Sequence, residues 1–387
     1  MMVTKVKINP AMMKWARTYA GFTNGHEDKL PQDIKQRYES WEKGDNFPTW
    51  NQLRKVSKKY KVPTAFFFMN KPPEYDNLPK LINYRKVDTN LIFENKSPSL
   101  ISNIRKSETR REIYLELLED MHEEIKLFKT FDGPLDKYAF SKYIRNSLDV
   151  SLDTQKSWFN EGHSKDYKHY KFLRNWKHLL NNKLGILVFE TVDVDIKEMR
   201  GLCIFYDEVP IILLNGKDSV NGRIFSLFHE LTHLLLGESA ICDDDVNYKE
   251  EVFCNSVAGE FLVPTDDLKD MLKDGSIVSD SLLKRLSNTY GVSEYVILRR
   301  LYDTNLISKS FYDSKTSEFD DVDNSEPKKR GGGSYLRNQV KYNGREYYSL
   351  VLAAYDSGVI GSSDFTKFTN LGQKHIPRLH DELFEGE

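Results

Sequence analysis

The heptapeptide Phe228-His229-Glu230-Leu231-Thr232-His233-Leu234 carries two histidines four residues apart with a glutamate beside the first. On a helix such positions share one face about 6 Å apart, so both imidazoles can reach a single tetrahedral metal ion. Glu230 lies off that face, where a carboxylate can take a proton from water without occupying a ligand position. Leu227, Leu231, Leu234, Leu235 and Leu236 make the helix expected over 221–236 strongly apolar, as suits a buried site. Zinc (Zn2+) is the ion this donor set fits.

A catalytic zinc takes three protein ligands and keeps one position open. The next helix, expected over 249–261, offers Glu250-Glu251-Val252-Phe253-Cys254-Asn255. Glu251 follows His233 by 18 residues (251 − 233), enough for a loop and a returning helix, and is the expected third ligand. Glu250 reads as a solvated acid favourable to the helix dipole. Asn255, one turn after Glu251, is placed to bind the outer nitrogen of a ligand histidine. Asp243-Asp244-Asp245 reads as a solvated loop. Cys242 and Cys254 lack a second cysteine at zinc spacing and read as core or incidental residues. With Cys203 they make three cysteines in 387 residues, no disulfide framework, and the expected compartment is the cytoplasm.

Outward from the two helices the pattern changes. Leu184–Phe189, Leu202–Tyr206 and Val209–Leu214 read as strands, the last two forming a hairpin around Asp207-Glu208. Its edge is expected to be exposed and able to take up an extended peptide. Amphipathic helices are expected over 97–129, 135–148 and 167–181, and further helices run to about Leu306. Asp320-Asp321, Pro327, Lys328-Lys329-Arg330 and Gly331-Gly332-Gly333 mark a linker within 311–334. A small helical appendage is expected over 335–387. The fold class expected is α+β, mainly α, with a small antiparallel sheet.

The formal charge of -2 hides a division. Residues 1–90 hold 17 Lys+Arg and 9 Asp+Glu (+8), leaving 39 and 49 in the remainder (-10). The balance excludes a uniformly basic nucleic-acid coat protein. Residues 1–10 lack the apolar run of a secretory leader. The longest apolar stretches, Ala65–Met69 and Val209–Leu214, fall far short of the roughly 20 residues a membrane helix needs, so no membrane partner is expected. The basic part reads as short helices: one starting at Pro10 and ended by Gly21, a second over 33–42, and a third capped by Thr49 with Leu53, Val56 and Tyr60 as its stripe. Trp15, Trp41 and Trp50 read as core residues of these helices.

Taken together, the motifs resemble the ImmA/IrrE family of metallo-endopeptidases, in the form fused to an N-terminal helix-turn-helix of the phage-repressor (XRE) type. Arg223, Phe225, Leu227, His229, Glu230 and His233 match the first half of the family pattern, and Glu251, Asn255, Ala258, Leu262 and Pro264 the second. Cys254 replaces the usual Ala and Val263 the usual Met. Lys7-Ile8-Asn9-Pro10, Trp15-Ala16-Arg17, Ala20-Gly21 and Trp41-Glu42-x-Gly44 through Pro48 are similar to the start of such fusions, whereas Glu27, Asp28 and Pro31 stand at positions apolar in the family. The resemblance implies a zincin-like domain over 184–310, with His229, His233 and Glu251 as zinc ligands and Glu230 as the catalytic carboxylate. It implies a helix-turn-helix module over 1–75, joined by a helical connection over 76–183. In that module Lys35, Gln36 and Arg37 would be the side chains to reach DNA.

The function expected is zinc-dependent hydrolysis of a peptide bond in a protein substrate, a helix-turn-helix transcriptional repressor by resemblance. The alternative is a DNA- or protein-binding transcriptional regulator whose metal site is structural or vestigial, supported by the +8 N-terminal part.

Overall fold

The computed structural model describes residues 4–73, 96–159, 165–237, 248–272, 278–325 and 334–384. Cys242, Asp243-Asp244-Asp245 and the Lys328–Gly333 run lie outside them. The chain divides into two compact units, Met1–Lys106 and Ser107–Glu387.

In the first unit α1 (Pro10–Tyr19) begins where expected: the Asn9 side chain accepts from the Ala11 N–H and Pro10 takes the first helical position. α4 (Trp50–Tyr60) starts on a reciprocal capping box between Thr49 and Gln52. Between them the expected helix over 33–42 is broken. α2 (Gln32–Lys35) and α3 (Tyr38–Lys43) are separated by a turn at Gln36-Arg37, and a single 3-10 turn, His26–Lys29, precedes them. Ile34 and Trp41 are buried and anchor the two pieces, whereas Lys35, Gln36 and Arg37 between them are exposed and pack on nothing that would hold the ladder continuous. Lys35 therefore ends one short helix while Gln36 and Arg37 lie in a turn, not on one helical face.

Glu27 and Glu42 are drawn in by Arg17. The buried guanidinium donates to Glu42 through Nε (2.7 Å) and Nη2 (3.1 Å), and to Glu27 (3.3 Å) and the Phe22 carbonyl (2.6 Å) through Nη1. Gly21 takes φ +77°, and a Cβ there would meet Ile101 Cδ1 at 2.5 Å, so glycine is required at that bend. α5 (Pro98–Asp120) covers less than its expected span to residue 129.

The second unit adds α6 (Lys137–Leu148), α7 (Leu152–Ser157) and α8 (Lys165–Leu184) before its sheet. The strands are β1 (Leu187–Thr191), β2 (Gly201–Ile204) and β3 (Ile211–Asn215), in the order β1-β3-β2. β2 and β3 form the expected hairpin, with Gly201 opposite Leu214 and Ile204 opposite Ile211. β1 pairs with β3 in parallel, Leu187 opposite Ile211, so the sheet is mixed and not antiparallel. The long return from β1 to β3 through β2 brings β1 to the far side of β3 running the same way. The expected exposed edge is also corrected: all four β2 residues are buried, because α9 (Val220–Leu235) packs on the strand and draws Leu202, Cys203 and Ile204 into the interior.

α10 (Tyr248–Leu262), α11 (Thr265–Asp270), α12 (Asp280–Tyr290) and α13 (Glu294–Asp303) follow. One apolar core joins Trp176 of α8, Ile212 of β3, Phe228 of α9 and Phe261 of α10. α14 (Lys309–Ser325) then runs as a helix through most of the stretch that composition marks as linker. Phe311, Tyr312 and Phe319 pack against the core, and their burial outweighs the acidic composition. The C-terminal residues form α15 (Tyr335–Asn343), α16 (Arg345–Asp356), α17 (Ser362–Thr369) and α18 (Ile376–Phe384). They are not a detached appendage, since α15 packs on β1, with Gly344 set closely against the Phe189 ring.

Candidate metal centre

α9 starts at Ser219, whose hydroxyl accepts from the Gly222 N–H at 3.0 Å. The helix lies between β2 and β3 on one side and α10 on another, so polar groups on it are buried wherever they fall. At about 100° per residue, His229 and His233 face one neighbour while Glu230 faces another. Gly237, at φ +82°, turns the chain after the helix in a conformation that side chains resist.

The two imidazoles turn their Nε2 atoms inward, 3.2 Å apart. The Glu251 carboxylate of α10 completes a triangle, Oε2 at 3.1 Å from His229 Nε2 and Oε1 at 3.3 Å from His233 Nε2. The outer nitrogens are each engaged: His229 Nδ1 is 3.0 Å from Asn255 Oδ1, and His233 Nδ1 is 3.1 Å from Glu250 Oε1. A carboxylate only accepts, so His233 carries a proton on Nδ1, and in its neutral form the ring presents a lone pair at Nε2. Asn255 acts in the same way on His229.

Three lone-pair donors that converge without a cation repel one another. Donors about 2.0–2.1 Å from a tetrahedral zinc stand roughly 3.3 Å apart, which is the spacing of this triangle. The residues therefore fit a zinc ion. Burial alone would raise the Glu251 carboxyl, but its electrostatic contacts with the two imidazoles outweigh it and hold it at about 2, so it stands as an anionic donor. Burial pushes the Cys254 thiol up to about 11, so it stays a neutral thiol beside His233.

Glu230 is buried on the β2 side of α9. A Cβ at Gly201 would come within 2.5 Å of its Oε1 and 3.0 Å of its Cγ, so the strand and the carboxylate approach only because position 201 has no side chain.

Two buried ion pairs hold the frame. Glu190 of β1 accepts from Arg223 Nη1 of α9 at 2.5 Å and from Lys177 of α8, tying the histidine-bearing helix to the sheet. Burial would raise the Glu190 carboxyl, but Lys177, Arg223 and Lys341 hold it at about 2. Beyond α10, Arg300 binds Glu260 and the Val263 carbonyl (3.1 Å), while Glu260 also accepts from the Thr265 N–H at 2.9 Å. The helix end at Leu262-Val263-Pro264 is fixed by that network.

The structure thus brings together His229, His233, Glu251, Asn255 and Glu230 around one point of α9. Lys35, Gln36 and Arg37 belong to the other compact unit. Sequence reasoning set Glu250 aside as a solvated acid and gave no role to Gly201. Val252, next to Glu251 in sequence, is exposed, while Glu251 and Asn255 face α9.

Residues 181–302 match the family described as IrrE N-terminal-like domain (Peptidase_M78). No curated protein matches the chain. Among solved structures, a Mycobacterium tuberculosis transcriptional regulator is matched with 14% sequence identity and a TM-score of 0.24, over 43% of this chain and 52% of that one. The chain spans about half the length of that regulator.

Proposed function

We propose that this chain, whose residues 181–302 carry an IrrE N-terminal-like domain of the Peptidase_M78 type, is a zinc-dependent endopeptidase. The observation that carries the reading is the triangle of His229, His233 and Glu251 donors, with both imidazoles oriented through their outer nitrogens and Glu230 buried one residue away. Zinc held by these three side chains would supply a Lewis acid that acidifies water and polarises the substrate carbonyl. Glu230 accepts a proton as the water oxygen adds to the carbonyl carbon. It then delivers that proton to the departing amine nitrogen as the C–N bond breaks. Asn255 and Glu250 keep the imidazoles in the tautomer this chemistry needs.

The substrate we favour is a helix-turn-helix transcriptional repressor of a mobile element or stress regulon, and it rests on the family resemblance alone. A cytoplasmic location follows from such a substrate. Among the described residues no helix is long and apolar enough to cross a membrane. The test is co-expression with repressors encoded beside the gene: cleavage by the native chain and none by Glu230→Gln supports the proposal, and undiminished cleavage by Glu230→Gln refutes it.

A further inference from the structure

Carboxylates in residues 1–73 are confined to one segment. Residues 27–45 hold six (Glu27, Asp28, Asp33, Glu39, Glu42, Asp45) and four cations, whereas residues 46–73 hold six cations and no carboxylate. The segment expected to meet DNA is thus the acidic part of a basic unit. Its Lys35 is paired with Asp28, and Lys43 lies 3.9 Å from Glu39.

α4 is the reverse. Its sequence Trp50-Asn51-Gln52-Leu53-Arg54-Lys55-Val56-Ser57-Lys58-Lys59-Tyr60 buries Leu53, Val56 and Tyr60 and turns Trp50, Arg54 and Lys58 outward at intervals of four residues. These three share one exposed face, successive members about 6 Å apart along the axis. Among the described residues, Arg54 and Lys58 pair with no carboxylate, unlike Lys55, which lies 3.0 Å from Asp33. Trp50 is 49% exposed, although a large aromatic ring gains most by burial.

We propose that this face of α4 binds single-stranded nucleic acid, with Arg54 and Lys58 on successive phosphates and the Trp50 indole as a stacking platform for a base. An indole beside a row of cations suits a polymer that alternates anionic and flat aromatic groups. A duplex keeps its base faces stacked inside and leaves the indole without a partner. An acidic polypeptide would use the cations but not the ring.

Fluorescence anisotropy on the full chain tests this, with a dye-labelled mixed-sequence single strand, its duplex, and polyglutamate as competitor, at several salt concentrations. The single strand should bind more tightly than the duplex, with affinity falling as salt rises. Removing both charges in Arg54→Gln/Lys58→Gln should lower the salt slope by about 1.4, at about 0.7 per phosphate on a single strand. Trp50→Ala should weaken binding roughly tenfold without changing that slope, and Trp50→Phe should restore most of it. Lys35→Gln/Arg37→Gln should leave affinity within about twofold. No binding at low salt, preference for the duplex, unaltered affinity in Trp50→Ala, or displacement by polyglutamate as efficient as by unlabelled strand would overturn the proposal.

Discussion

Glu250 places its Oε1 3.1 Å from Nδ1 of His233, on the side of the ring away from the converging donors. The contact turns an acid at a helix start into the group that fixes which nitrogen of His233 keeps its lone pair. Asn255 does the same for His229 from one turn further along α10.

Loss of that orientation should appear first as loss of metal affinity. Glu250→Ala should weaken zinc binding about 10- to 100-fold in competition with a chromophoric chelator, and Glu250→Gln, which can still accept a hydrogen bond, should lose less. Lys249→Ala, at an exposed position on the same turn, should change nothing. Equal affinities across all three variants would return Glu250 to the role of a solvated acid.

A substitution at Gly201 should separate metal binding from chemistry. The added methyl of Gly201→Ala would stand 2.5 Å from Glu230 Oε1, so the carboxylate must shift while the His229, His233 and Glu251 triangle is untouched. Zinc content should remain at the native level and cleavage should fall about 100-fold, the scale expected for a misplacement near 1 Å. Native activity with native metal content would mean that the position of Glu230 does not matter to the reaction.

The Glu190 carboxyl, held at about 2 by Lys177 and Arg223 against the cost of burial, makes stability depend on acid. A carboxyl whose folded pKa lies below its unfolded value near 4.5 stabilises the fold fully above that value, and the contribution disappears as pH falls toward 2. Urea midpoints of the native chain should therefore drop between about pH 5 and pH 2.5 more steeply than those of Glu190→Gln. At neutral pH that variant should be less stable by roughly 3 kcal/mol, because it leaves buried cations uncompensated. Parallel midpoint curves for the two proteins would contradict the assignment.

How far the sequence reveals these features depends on whether a residue's role is local. α9 is legible because its apolar period, its Ser219 cap and its two histidines all lie within one short segment. Glu251 is legible as a partner because only a returning helix can bring it back. Glu250 is not: two adjacent acids on one helix look alike until the register of α10 against α9 is known. Gly201 carries no signal, since its role is to be small opposite a residue 29 positions away (230 − 201). The parallel pairing of β1 with β3 is likewise a property of the path between them. At α14 composition points the wrong way, because Asp320 and Asp321 mask the stripe of Phe311, Tyr312 and Phe319 that packs on the core. The break at Gln36-Arg37 is hidden for the opposite reason: the buried Ile34 and Trp41 are spaced as a continuous helix would space them.

The proposed function requires His229, His233 and Glu251 to hold one metal ion. Elemental analysis of the purified full chain after saturation with zinc and removal of excess tests it most directly. One zinc per chain in the native protein and in Glu230→Gln, with none in His229→Ala/His233→Ala, is expected. A native chain without zinc, or a double variant that still holds one equivalent, would contradict it.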